Sequence, residues 1–207
     1  IIALCCNIIV VSGNCFNYIK AGNLNLKLLI PYLIGSVPLA FFGASLSISK
    51  ELFEILLFVI LTIAGILLLN RSKFFDSNKI KINQIPKKIS ILIGCVIGFI
   101  SGIVGIGGGI FLSPILFLIK AGYPKQIATT ASLFILINSI FGVAGQLTKD
   151  IVLNQFLNFW PLFLVVFMGG QIGNFLNIKF LSNKTLSLIT SLLVIFVAIR
   201  MGLKLLP

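Results

Sequence analysis

Charged residues cut the chain into long apolar stretches, and these stretches set the architecture. Seven segments result, running from Ile1 to Ile19, Leu28 to Ile48, Leu52 to Leu69, Ile89 to Ile119, Ile127 to Leu147, Phe156 to Ile178 and Thr185 to Leu203. Most match the roughly 20 residues that a helix needs to cross a bilayer. Open strands cannot satisfy their backbone groups in lipid, so the segments are expected to be helices. The predicted fold class is all-α: a polytopic transmembrane bundle of about seven segments, with one glycine-broken helix and two homologous repeats, the first incomplete. The fourth segment is too long for one ordinary span. It is interrupted by Gly105-Ile106-Gly107-Gly108-Gly109, so it is either two half-helices or a re-entrant hairpin. Tyr18, Tyr123 and Trp160 stand near segment ends, where amphipathic rings favour the headgroup region.

Composition removes the soluble alternatives. Of 207 residues, 58% are hydrophobic and 10% charged, and none is histidine; the mean hydropathy is +1.17. Soluble domains carry about 25% charged residues, and so large an apolar surplus would not fit inside one core of this size. Disorder fails for lack of polarity, and four scattered cysteines do not make a disulfide scaffold.

The net charge of +12 raises a nucleic-acid reading that its distribution then weakens. Arg71, Lys73, Lys79, Lys81, Lys87 and Lys88 face a single Asp76 in one short stretch whose aromatics, Phe74 and Phe75, form one adjacent pair and do not alternate with the cations. Such a loop sets orientation, so residues 71–88 are expected to be a cytoplasmic linker and no nucleic-acid partner is expected. A fourth segment that crosses once places 11 cations on the loop's side against 5; one that turns back places 12 against 4. Both counts obey the rule, so charge leaves open whether the repeats are parallel or inverted.

A repeat offset of about 130 residues pairs Pro31 with Pro161, Gly43 with Gly173, Ala64 with Ala198 after a small insertion, and Asn7 with Asn138 within one residue. It divides the chain into the end of a first repeat (1–70), the linker (71–88) and a second repeat (89–207). On this alignment Ile1 falls in the middle of a unit, and the first copy is expected to begin about 41 residues before it.

Two features of the fourth segment bear on chemistry. Gly94, Gly98 and Gly102 recur every four residues, a smooth stripe for close helix packing. Gly105 to Gly109 is too glycine-dense to stay helical, and the apolar run after it can restart a helix with Pro114 in its first turns. Unwound backbone at membrane depth must be enclosed by protein or line a cavity. The amides at the restarted helix's N-terminus favour an anion. Thr130, Ser132 and Asn138 on the next segment either bond locally or complete the coordination of an oxyanion held at Gly105, Gly107, Gly108 and Gly109. Gln171 and Asn174, with Gly169, Gly170 and Gly173, form a similar small-polar patch, read mainly as packing. Gly98, Gly102 and Pro114 are read as structural or hinge positions.

Other chemistries lack their residues. The glycines are not followed by Lys-Ser/Thr, and Ile110 takes the third glycine position of a dinucleotide fingerprint. Cys5, Cys6, Cys15 and Cys95 have neither C-x-x-C spacing nor histidine partners, so no metal and no cofactor are expected. Glu51, Glu54, Asp76 and Asp150 all lie at segment ends or in loops, leaving no proton relay at mid-membrane. Without histidine, hydrolytic catalysis has little support, and an enzyme is not expected.

Gly98-x-x-x-Gly102-x-x-Gly105-x-Gly107-Gly108-Gly109 running to Pro114, followed by Ala128-Thr129-Thr130-x-Ser132, resembles the signature of the sulfite exporter TauE/SafE family of membrane permeases. Gly22-Asn23-Leu24 and the Pro31, Gly35 and Gly43 pattern resemble the family's repeat unit, so the likeness covers essentially the whole chain. The sequence departs from the pattern in lacking a first copy of the glycine motif. The resemblance implies a multi-pass inner-membrane permease with duplicated halves that moves small anions such as sulfite or an organosulfonate. The expected partners are the substrate anion and the bilayer, with a homo-oligomer left open. A channel-like or structural membrane subunit, and a membrane enzyme handling sulfur through Cys5, Cys6 or Cys95, stand as alternatives.

Overall fold

The structure, a computed structural model, describes residues 1–71, 82–83, 85–149, 160–179 and 183–205. These residues form eight helices: α1 (Ile2–Lys20), α2 (Leu26–Ser45), α3 (Lys50–Arg71), α4 (Lys87–Val104), α5 (Gly109–Leu118), α6 (Pro124–Gln146), α7 (Trp160–Lys179) and α8 (Asn183–Leu205). Six match the expected segments to within a few residues, and the long fourth segment divides into α4 and α5. Among the described residues, five helices are long and apolar enough to cross a membrane, while Gly109–Leu118 and Pro161–Gly173 are shorter apolar stretches. Lys73, Asp76, Lys79, Lys81 and Asp150, and the side chains of Trp160 and Asn174, lie outside the described residues.

The fourth segment turns back. Asn83, just before α4, donates its backbone N–H to the Lys120 carbonyl at 3.0 Å and its Nδ2 to the Ile119 carbonyl at 3.3 Å. The end of α5 therefore returns to the end of the bundle where α4 began. At about 1.5 Å per residue, α5 is half as long as the hydrocarbon core is thick. The turn lies inside the span, because a Cβ at Gly108 would sit 3.0 Å from Ile97 and 3.1 Å from Ser101, one to two turns before α4 ends. Of the two forms open to the sequence, this is the re-entrant hairpin.

Glycines explain how the hairpin is held. α2 and α4 run parallel, with Gly94, Gly98 and Gly102 of α4 against the backbone of Tyr32, Ser36 and Ala40 of α2. Gly43 of α2 answers them, with Phe99 and Ile103 of α4 against it. Backbones this close leave no room for a Cβ, and dispersion between them replaces side-chain interdigitation. Asn25 starts α2 by accepting from the Leu28 N–H at 3.2 Å, and Pro86 ends the preceding loop. Pro124 occupies the first helical position of α6, where its missing N–H costs nothing, and the Tyr123 N–H donates to Gln126 Oε1.

The core lies among α2, α4, α5 and α6, where Tyr32, Leu112, Leu116, Ile127 and Phe134 are almost wholly buried. α1 packs antiparallel along α6, with Leu4 at Gly142. α8 packs antiparallel along α3: Gly65 meets Ile195, Gly202 meets Phe58, and Lys204 pairs with Glu54 at 2.6 Å. α7 leans on α1 through Gly170 and Val10, but a Cβ at Gly169 or Gly173 would meet nothing within 4 Å. Lys20, Lys27, Lys87, Lys88, Lys120 and Lys125 gather at the end of the bundle where α4 begins. Lys50, Lys149 and Lys204 gather at the other.

Candidate functional site

Glycine at 105, 107 and 108 is a conformational requirement. Gly105 ends α4 with φ 73°, and Gly107 and Gly108 follow at φ 77° and 73°. Side-chain-bearing residues pay roughly 1–2 kcal/mol in this left-handed region. Gly108 caps α5, its carbonyl accepting from the Phe111 and Leu112 amides at 3.1 and 3.2 Å. No backbone carbonyl accepts from the amides of Ile106 to Ile110 among the described residues. Five successive donors therefore surround a helix N-terminus without an internal partner.

Two other helices, α1 and α6, close around this turn. Phe134 and Ile135 of α6 press on Gly108 and Gly109, and Gln146 Nε2 of α6 lies 3.7 Å from where a Gly105 Cβ would be. A Cβ at Gly107 would meet Ser139 Oγ at 2.8 Å and Asn7 Nδ2 of α1 at 3.3 Å. Asn7 Nδ2 also donates to the Ile106 carbonyl at 3.1 Å. Pro114 is buried in the second turn of α5, while Gly98 and Gly102 stand earlier on α4, packed against α2.

The polar residues expected on α6 divide. Asn138 is buried; its Nδ2 donates to the Phe134 carbonyl at 2.8 Å, and its Oδ1 has no partner. Thr130 is fully buried with its hydroxyl unpartnered. Ser132 is half-buried, and two residues on a helix lie about 200° apart, so it cannot share Thr130's face. It shares a face with Ser139 instead, seven residues on. Ser139 Oγ is buried, unpartnered and against Gly107. Sequence reasoning missed Ser139, Gln146 and the Asn7 contact. Asn7 carried a signal, since the repeat pairs it with Asn138.

The electrostatics are those of dipoles. No Asp, Glu, Lys or Arg lies among the atoms nearest to where a Cβ would stand at the four turn glycines. The nearby cation at this end, Lys149, donates from Nζ to the Leu46 carbonyl at 2.6 Å, and burial lowers its pKa. The other sequence candidates lie elsewhere: Gln171 reaches Gly13 on α1, and the four cysteines are free thiols. Among the described residues, no group of His, Cys, Asp or Glu is arranged to hold a metal.

The comparisons with known proteins point to a membrane transporter. Residues 1–201 match the family model described as sulfite exporter TauE/SafE. A probable membrane transporter protein of Sinorhizobium fredii is 30% identical over 205 residues, 99% of this chain and 81% of that protein. One from Methanocaldococcus jannaschii is 35% identical over 145 residues, 65% of this chain and 50% of its own length. One from Bacillus subtilis is 24% identical over 201 residues, covering 89% and 72%. No solved structure matches. The chain belongs to the sulfite exporter TauE/SafE family of multi-pass membrane transporters.

Proposed function

We propose that this transporter moves small anions, sulfite or an organosulfonate, across the inner membrane by alternating access. The anion site is built on the turn from Gly105 to Gly109, with Ser139 of α6 as a neutral donor against Gly107 and Ser132 further along the same face. Thr130 lies on the opposite face and Asn138 Nδ2 is taken by the Phe134 carbonyl, so both stand apart from it. One observation carries the reading: among the described residues no backbone carbonyl accepts from five successive amides, Ile106 to Ile110, which lead into a helix N-terminus inside the protein. Donors fixed in low dielectric hold an oxyanion without a fixed cation, which keeps binding weak enough for release. Tetrahedral and pyramidal oxyanions fit such a cup because their charge is spread over several oxygens.

Flux into proteoliposomes tests the site. Sulfite uptake should saturate, and Gly108→Leu should abolish it while the protein remains monodisperse. Wild-type flux in Gly108→Leu would overturn the site. Non-saturable flux would favour a channel.

Orientation and symmetry follow the same reading. The end carrying Lys20, Lys27, Lys87, Lys88, Lys120 and Lys125 is cytoplasmic, supported by the excess of cations there. With the hairpin returning to its own side, each repeat contains three crossings and the repeats are inverted. The antiparallel pairs α1 with α6 and α3 with α8 support this, because each pair joins equivalent helices of the two halves. The exposed glycine face of α7 is then the counterpart of the face of α2 that carries α4.

A further inference from the structure

The cytoplasmic-end surface between α2 and α4 has a division that anion transport does not use. The two helices begin side by side, and Lys27 and Lys87 stand in their first turns. A cation at a helix N-terminus opposes the macrodipole, so four positive features, two lysines and two helix starts, crowd one spot. Neither lysine makes an ion pair among the described residues, and both acids of α3, Glu51 and Glu54, lie at the opposite end.

Two cavities meet there, sharing Lys27, Pro31 and Lys87 as walls. One, of about 400 Å³, is the polar side, reaching Asn25, Asn83 and Ser90 between the helix starts. The other, of about 530 Å³, is an apolar groove descending the outer surface past Leu26, Ile30, Ile34 and Ile91. Leu26, Ile30 and Ile34 recur every four residues on one face and are 53%, 47% and 59% exposed, so the groove opens outward to the surface that lipid covers.

We propose that this is a binding site for an anionic phospholipid. The phosphate sits between Lys27 and Lys87 with Asn25 and Ser90 beside it, and an acyl chain lies in the groove. A soluble anion would use the polar cavity and leave the groove empty; a zwitterionic lipid would leave the lysines uncompensated. A head with net negative charge joined to a hydrocarbon tail satisfies both halves, as basic pockets between membrane helices do for acidic lipids.

Native mass spectrometry of the detergent-purified protein, with phosphatidylglycerol or phosphatidylcholine added, tests this. The wild type should retain phosphatidylglycerol in preference to phosphatidylcholine. Lys27→Gln with Lys87→Gln should weaken that retention by roughly tenfold or more. Lys88→Gln with Lys125→Gln, the same charge change at the same end outside both cavities, should leave it unchanged. Ile34→Trp, which fills the groove without touching charge, should also lower retention, so the result does not depend on one variant. Equal loss in both lysine pairs would mean a diffuse surface attraction and would overturn the site. Undiminished retention in Lys27→Gln/Lys87→Gln would do the same. Millimolar inorganic phosphate displacing the lipid, with Ile34→Trp silent, would assign the polar cavity to a free anion. A lipid-free dimer would assign the groove to a second copy. Each readout is independent of transport.

Discussion

Asn7 of α1 donates from Nδ2 to the carbonyl of Ile106 at 3.1 Å, across 99 positions of sequence, and this side-chain bond fixes the turn of the hairpin from a neighbouring helix. By holding that carbonyl on the α1 side, it keeps the amides that follow facing elsewhere. Asn7→Leu leaves a carbonyl without its partner, which costs about 1–3 kcal/mol when buried. The expected outcome is a lower melting temperature together with a flux loss of an order of magnitude. Asn7→Asp places negative charge beside the anion and should raise KM more than it lowers the maximal rate. Concentration-dependent flux measurements separate the two.

The three left-handed glycines of the turn should not respond alike. Asparagine tolerates the left-handed region better than other side chains. A Cβ at Gly105 finds its nearest neighbour 3.7 Å away, whereas one at Gly107 meets Ser139 Oγ at 2.8 Å. Gly105→Asn should therefore retain most stability and flux, and Gly107→Asn should lose both. Matched thermal unfolding and flux assays check the contrast, and equal damage at the two positions would contradict it.

Packing glycines should divide in the same way. A Cβ at Gly98 would lie 2.5 Å from the Ser36 Cα, so Gly98→Ala forces α2 and α4 apart and should cost 1–3 kcal/mol, the usual range for overpacking. Gly173→Ala meets nothing within 4 Å and should change stability by less than about 1 kcal/mol. Chemical or thermal unfolding in detergent reads the difference.

The hairpin makes a topological prediction. In a background with Cys5, Cys6, Cys15 and Cys95 replaced by serine, Lys27→Cys and Lys120→Cys should react with a membrane-impermeant maleimide from the same side. Lys50→Cys should react from the other. Labelling of Lys120→Cys from the side of Lys50→Cys would mean that α5 crosses.

Helix positions were legible because hydropathy alone sets them, and the break was legible because no helix survives Gly105 to Gly109. The choice between crossing and returning was not, since 11 against 5 and 12 against 4 both satisfy the orientation rule. The bonds from Asn83 to Ile119 and Lys120 decide it, and nothing local in the sequence marks them. The candidate site was half legible. Its glycines announce their own geometry, but Ser139 and Asn7 gain meaning only through the angle at which α1 and α6 cross. Thr130 and Ser132 read as one cluster in sequence and point apart on the helix.

The shortness of α5 also governs how the protein can be made. Ten residues span about half a bilayer, so the segment cannot partition into lipid by itself as a translocating helix would. Its unpaired amides can leave water only into an enclosure of other helices. α6, which supplies Phe134, Ile135 and Ser139 to that enclosure, is synthesised after the hairpin it must cover. The hairpin is therefore expected to stay at the aqueous edge until the following span arrives, so that its insertion depends on α6.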